Sequence, residues 1–159
     1  MKSNKKITLL IVTYNRSYYI ERLLKYYVAL NFDQKILVAD ASDSDFLKNN
    51  EIIYKSVEND LSLSVIPLQD HSVIECLDIM LDEVKTPYCV LNPDDDFLIP
   101  SSLMKMVEYL DNNPNYSGVN GTAVVQEEKN IGNNKRIVRG VSDYAMRRLH
   151  GKDSIGRID

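Results

Sequence analysis

Three consecutive aspartates, Asp94, Asp95 and Asp96, follow a short apolar run at residues 88–91 and lead into Phe97, Leu98, Ile99 and Pro100. Carboxylates this close repel one another, and crowding raises the cost of keeping all of them ionised. A divalent cation removes that cost. Carboxylate oxygens are hard ligands suited to Mg2+ or Mn2+, and Mg2+ is commonly held by one or two carboxylates together with substrate phosphates. Asp94 and Asp96, or Asp96 alone, are therefore candidates to present a metal to a diphosphate. Asp95 is then left to accept hydrogen bonds from a ribose or sugar hydroxyl. The alternative is a solvated turn and N-cap region for the next helix, because Asp also occupies such positions for purely local reasons.

Two further polar clusters close apolar runs in the same way: Thr13-Tyr14-Asn15-Arg16 after residues 7–12, and Asp40-Ala41-Ser42-Asp43 after residues 35–39. Tyr14 is a candidate base-stacking ring, Asn15 a loop-shaping amide, and Arg16 a neutraliser of phosphate. Asp40 is a candidate acceptor for the base or ribose of a nucleotide. Each has an ordinary alternative, namely a strand-to-helix connection, a surface arginine and a turn before a helix. A lone histidine such as His71 is more often structural or solvated than catalytic. Tyr18, Tyr19, Tyr26 and Tyr27 read as packing at the first helix.

The elements between these clusters alternate. Residues 7–12 form a β-branched run suited to a parallel strand covered on both faces. Ser17 is expected to cap a helix whose Ile20, Leu23, Leu24, Tyr27 and Val28 recur at helical spacing. Strand 35–39, helix 46–57, strand 61–68 and helix 73–84 follow. The last of these carries Val73, Leu77, Met80, Leu81 and Val84 on an expected core face. After strand 88–91, Pro100 and Ser101 open a helix with Leu103, Met106, Val107 and Leu110, stopped near Asn112-Asn113-Pro114. Residues 119–126 read as one more strand. This order predicts an α/β layered fold with a mostly parallel sheet. Ligands of such sheets settle outside the carboxyl ends of the strands, which is where all three polar clusters fall.

The domain is expected to span residues 1–126. Residues 127–159 read as a partial, loose or truncated C-terminal segment: 127–135 is polar and Gly/Asn-rich, 141–149 is a short helix candidate, and the last residues are poor in apolar side chains. The chain of 159 residues, 44% hydrophobic, is long enough for one sizeable core. A net charge of -4 argues against charge-driven attachment to nucleic acid or anionic lipid. An anionic ligand stays compatible if a bound cation or backbone amides supply positive charge. Cys76 and Cys89 read as buried, reduced thiols, with too few ligands for a disulfide framework or zinc site. The apolar run at 7–12 is far too short to span a bilayer.

Taken together, Ile7 to Arg16, the strand ending at Asp40 with Ala41 and Ser42, and Asn92 to Pro100 resemble the family 2 glycosyltransferases of the GT-A fold, over roughly residues 5–125. The resemblance implies a Rossmann-like three-layer sandwich, with a mostly parallel central sheet, that transfers a sugar from a nucleotide-diphosphate donor to an acceptor hydroxyl. Thr13 and Tyr14 would line the base pocket, Asp40 would contact the base, and Asp95 the ribose or diphosphate. Asp96 would match the metal-binding member of the Asp-x-Asp motif, with Asp94 as its partner and Mn2+ or Mg2+ as the ion. The acceptor would be a saccharide, a lipid-linked sugar or a protein, within cell-envelope polysaccharide synthesis, in the cytoplasm or peripherally at the inner face of the membrane. The family's catalytic base lies further C-terminal, so the base is left unassigned, with Asp143 and Asp153 as proposals outside any family context, and a fragment is expected.

Two other classes compete. A nucleotidyltransferase would carry a Gly-rich basic phosphate loop near its N-terminus, but residues 13–17 hold no glycine. A non-catalytic α/β binding module, or a receiver-like module, would need no donor; a receiver should end its first strand in acidic residues, where Val12, Thr13 and Tyr14 stand instead.

Overall fold

The computed structural model describes residues 5–121, together with the backbone of two further strands at 124–131 and 134–141. Strand β1 (Ile7–Thr13) leads into helix α1 (Ser17–Ala29), and β2 (Lys35–Asp40) into α2 (Ser44–Val57). β3 (Ser62–Pro67), α3 (Val73–Glu83), β4 (Tyr88–Leu91) and α4 (Pro100–Asn112) complete the alternation. The four strands form one parallel sheet in the order β3-β2-β1-β4. The chain divides into two compact units, residues 1–115 and 116–159. The boundary expected between residues 126 and 127 falls inside strand β5 (Val124–Ile131).

The layering follows from the two-residue period of the strands. Ile7, Leu9 and Ile11 of β1, with Ile36 and Val38 of β2, face a core built with Ile20, Leu23, Leu24 and Tyr27 of α1. Ile53, Tyr54 and Val57 of α2, and Leu103 and Val107 of α4, fill the rest of that layer. The alternate residues Leu10, Leu37 and Ala39 turn to the opposite face and meet Cys76 and Met80 of α3. Because β1 and β2 are covered on both faces, their sequences are continuous apolar runs.

The structure corrects several local readings. Ser17 does not cap α1: it is the first helical residue, and the Arg16 carbonyl accepts from the N–H groups of Tyr19 and Ile20 at 2.9 and 3.2 Å. The buried stripe of α3 runs through Cys76 and Met80, spaced by one helical repeat, while Val73 and Leu81 are 57% and 53% exposed. Leu77 and Val84 pack at the margin of that core. Ser72 and Glu75 close a capping box at the start of α3, which fixes the entry of the helix. Cys76 is buried, but Cys89 is exposed, because it lies on β4 at the edge of the sheet. Tyr27 alone of the four tyrosines is fully buried; Tyr18 is exposed.

In the second unit, β5 pairs antiparallel with β6 (Asn134–Val141), running from Val124 opposite Val141 to Ile131 opposite Asn134. The strand expected at 119–126 therefore starts later, and the polar stretch 127–135 lies largely within the two strands. The polar run from Gln126 to Asn130 lacks the apolar alternation by which a half-buried strand is read from sequence. The helix expected at 141–149 lies outside the described residues beyond Val141, where β6 ends.

Candidate active site at the carboxyl ends of the strands

The loops that follow β1, β2 and β4 are tied together by side chains. Asn15 adopts the left-handed conformation, with φ of 55°, which asparagine tolerates better than most residues. From there its backbone N–H donates to Ser42 Oγ at 2.9 Å and its Nδ2 to an Asp43 carboxylate oxygen at 2.7 Å. The Asp43 N–H returns a bond to Asn15 Oδ1 at 2.9 Å. Asp43 occupies the N-cap position of α2 without a side-chain cap, and its carboxylate is spent on Asn15 instead.

Across the other side of β1, Thr13 Oγ1 donates to Asp94 Oδ2 at 2.8 Å. Arg16 spans the acidic turn, with Nη1 2.9 Å from Asp94 Oδ1 and Nη2 2.8 Å from Asp95 Oδ2. Its guanidinium also stacks 4.1 Å from the centre of the Tyr19 ring. Arg22 supports the same turn by donating to the Asp95 carbonyl at 3.0 Å. Beneath it, Asn92 is fully buried; its Nδ2 donates to the carbonyls of Pro93 and Asp96 at 2.9 Å, and its Oδ1 accepts from the Tyr27 hydroxyl. The turn is therefore held in shape by neutral groups below and by arginines above.

The three aspartates differ sharply. Asp94 is only 3% exposed, and burial pushes its carboxyl above the usual range against the opposing pull of Thr13 and Arg16. Asp95 is exposed, and its hydrogen bond from Arg16 holds it below that range. Asp96 is exposed, and its carboxylate has no partner among the described residues; only its backbone is bonded, the N–H to the Pro93 carbonyl at 3.2 Å and the carbonyl to Asn92.

Asp40, at the end of β2, is fully buried. Its Oδ1 accepts from the Ser42 N–H at 3.0 Å, and its Oδ2 from Asn50 Nδ2 at 2.8 Å and the Tyr54 hydroxyl at 2.7 Å. Tyr14 is 56% exposed beside these loops. His71 is exposed, with Nδ1 2.8 Å from the Gln69 carbonyl. Asp143 and Asp153 lie outside the described residues.

Thus the loop after β1 is tied to both others, Asn15 to Ser42 and Asp43, and Thr13 and Arg16 to Asp94 and Asp95. Sequence reasoning did not single out Ser42, Asn50, Tyr54, Arg22, Asn92 or Tyr27 as determinants of these loops. The helical spacing of Asn50 and Tyr54 was the available signal: four residues apart on α2, they point the same way, toward a strand end that finishes in a carboxylate.

Among the described residues no three His, Cys, Asp or Glu side chains cluster as a ready-made metal site. The donor set instead fits an ion completed by a ligand. Asp96 offers a free hard oxygen at the surface, and Asp94 a second one once Arg16 leaves its Oδ1.

A family model described as glycosyl transferase family 2 matches residues 8–157. No curated protein matches the sequence. Among solved structures, a 1-349 form of S. aureus TarS is similar with a TM-score of 0.54 and 18% identity, covering 75% of this chain and 34% of that one. The same form in complex with UDP-GlcNAc gives a TM-score of 0.57 at 18% identity, covering 75% and 33%. A longer S. aureus TarS structure gives 0.54 at 19% identity, covering 67% and 20%. The chain thus spans about a third or less of these solved chains, and the likeness is one of fold: the α/β layers with a parallel sheet of a GT-A domain. Among the described residues no helix is long and apolar enough to cross a membrane.

Proposed function

Since the chain belongs to glycosyl transferase family 2, we propose that it forms the donor-binding part of an enzyme that moves a sugar from a nucleotide-diphosphate to an acceptor hydroxyl. One observation carries this reading: Thr13, Asn15 and Arg16 lock the loops after β2 and β4 onto the loop after β1, so three polar loops frame one strand-end edge. Strand-end edges of parallel sheets are where nucleotide ligands bind.

Each residue then has a task. Tyr14, more than half exposed, stacks on the base. Asn15 sets the curvature of the loop that carries it. Asp40 shapes the floor of the base pocket by ordering the Ser42 turn. Thr13 orients Asp94, Arg16 faces the diphosphate, and Asp95 takes the ribose or diphosphate. Asp94 and Asp96 hold Mn2+ or Mg2+, which when bound offsets the charge that develops on the departing diphosphate. The acceptor is a saccharide, a lipid-linked sugar or a protein, in cell-envelope polysaccharide synthesis, in the cytoplasm or peripherally at the inner face of the membrane. UDP-GlcNAc, the ligand named for a TarS structure, is the first donor to try.

Calorimetric titration of the folded chain with UDP, GDP and UDP-GlcNAc, each with Mn2+, tests the reading. Saturable binding of at least one is expected. A folded sample that binds none of them overturns it.

A further inference from the structure

Arg16 is the only cation among the described residues that ion-pairs with the acidic turn, and it does so with two aspartates at once. A guanidinium is a planar fork of donors that fits carboxylate and phosphate oxygens alike. Arg16 therefore sits in the electrostatic position that a divalent ion would take beside Asp94. The two cations compete for one oxygen, Asp94 Oδ1, because its partner Oδ2 is committed to Thr13 inside the fold. Asp94 itself is buried and cannot swing out to serve both, whereas the Arg16 side chain is 39% exposed and has room to move.

We propose that Arg16 is a built-in counter-cation of the acidic turn, which releases Asp94 when a diphosphate offers its guanidinium a replacement anion. The inference rests on the functional reading above and adds a coupling to it. With no diphosphate present, Arg16 holds the turn closed and weakens divalent-ion binding. When the diphosphate enters, Arg16 transfers its fork from carboxylate to phosphate, so ion and diphosphate each strengthen the binding of the other. Tyr19 gives the guanidinium a surface to slide on, since a cation over a ring face keeps part of its stabilisation as it shifts along it. Arg22, bonded to the Asp95 carbonyl, keeps the turn in place while Arg16 leaves.

Mn2+ binding measured by electron paramagnetic resonance, with and without saturating UDP, tests the coupling in the whole chain and in Arg16→Gln. Arg16→Gln is expected to bind Mn2+ alone more tightly, on the order of tenfold, the middle of the range usual for coupled sites. The tightening that UDP confers on Mn2+ in the native chain should shrink by a similar factor in the variant. Arg16→Lys, which keeps the charge and loses the two-carboxylate fork, should fall between and serves if Arg16→Gln does not fold. Unchanged or weaker Mn2+ binding by the variants, while the native chain binds Mn2+ with UDP, overturns the counter-cation role and leaves the functional reading standing. Failure of the native chain to bind Mn2+ with UDP overturns both.

Discussion

The ends of β2 and β4 carry the same residue type at the same edge of the sheet, yet Asp40 and the Asp94-Asp96 turn live under different physical conditions. Asp40 is sealed from water and met by three uncharged donors: the Ser42 N–H, the Asn50 amide and the Tyr54 hydroxyl. No cation pairs with it among the described residues. The β4 turn instead ranges from buried Asp94 to exposed Asp96, and its charge is met by Arg16, a long side chain reaching across from the loop after β1. Dipoles built into the fold suit a carboxylate that stays put, because they cost nothing to reorganise. A long cationic side chain suits carboxylates that exchange partners. The contrast separates an aspartate that shapes the site from aspartates that meet the ligand.

The largest expected effect follows from the sealed side. Asp40→Ala leaves Tyr54, Asn50 and the Ser42 N–H without their acceptor in a buried place, and should cost about 3 kcal/mol of stability, within the range for unsatisfied buried groups. Urea denaturation measures it. A loss of UDP binding with no loss of stability would reverse the assignment and make Asp40 a ligand contact.

The same cluster predicts a pH dependence. Burial, reinforced by the Asp40 carboxylate, pushes the Tyr54 phenol well above its ordinary value of 10.0. A phenol whose folded value is raised favours the folded state fully below its unfolded value, and that contribution falls away as pH climbs past it. Stability should therefore hold to about pH 10 and decline beyond it, and Tyr54→Phe should flatten the decline. Thermal melts between neutral and strongly alkaline pH check this. A native-chain decline that Tyr54→Phe leaves unaltered would locate the alkaline weakness elsewhere.

Much of this fold was legible in the residues. The runs at 7–12 and 35–39 announced covered parallel strands, and Pro100 marked the start of α4. Family membership followed from three short motifs in order. What stayed hidden depends on tertiary choices. Nothing local tells that Asp43 spends its carboxylate on Asn15 instead of capping α2, or that Arg16 faces two aspartates nearly eighty residues away. Cys89 looked buried because its neighbours are apolar, but an edge strand exposes alternate residues whatever flanks them. Most of the β5–β6 ribbon went unread, since its pairing is backbone-made and Gln126 to Asn130 is a polar run, so only a strand ending at residue 126 was expected there.

Between the two aspartate environments lies the support of the β4 turn, where Tyr27→Phe removes the hydroxyl bonded to Asn92. One buried acceptor is then left unmet, so about 1–2 kcal/mol should be lost, less than at Asp40. The turn carries the metal candidates, so the same variant should also weaken Mn2+ binding with UDP. Equal stability in Tyr27→Phe and the native chain, by urea denaturation, would mean that the turn is held from above by the arginines alone.

The smallest effect on stability should come from the exposed side, and it completes the contrast. Asp95→Asn keeps the shape of the side chain and removes the charge that Arg16 meets at 2.8 Å. Both partners are well exposed to water, so the pair should contribute less than about 0.5 kcal/mol. Because Arg16 holds the Asp95 carboxyl below the usual range, what contribution exists is present above the unfolded value and lost as pH falls through the folded one. Urea denaturation at neutral pH should thus barely distinguish the variant from the native chain, whereas calorimetry should show weakened UDP binding with Mn2+. A variant as destabilised as Asp40→Ala would place Asp95 among the shaping residues, and the two strand ends would no longer differ in kind.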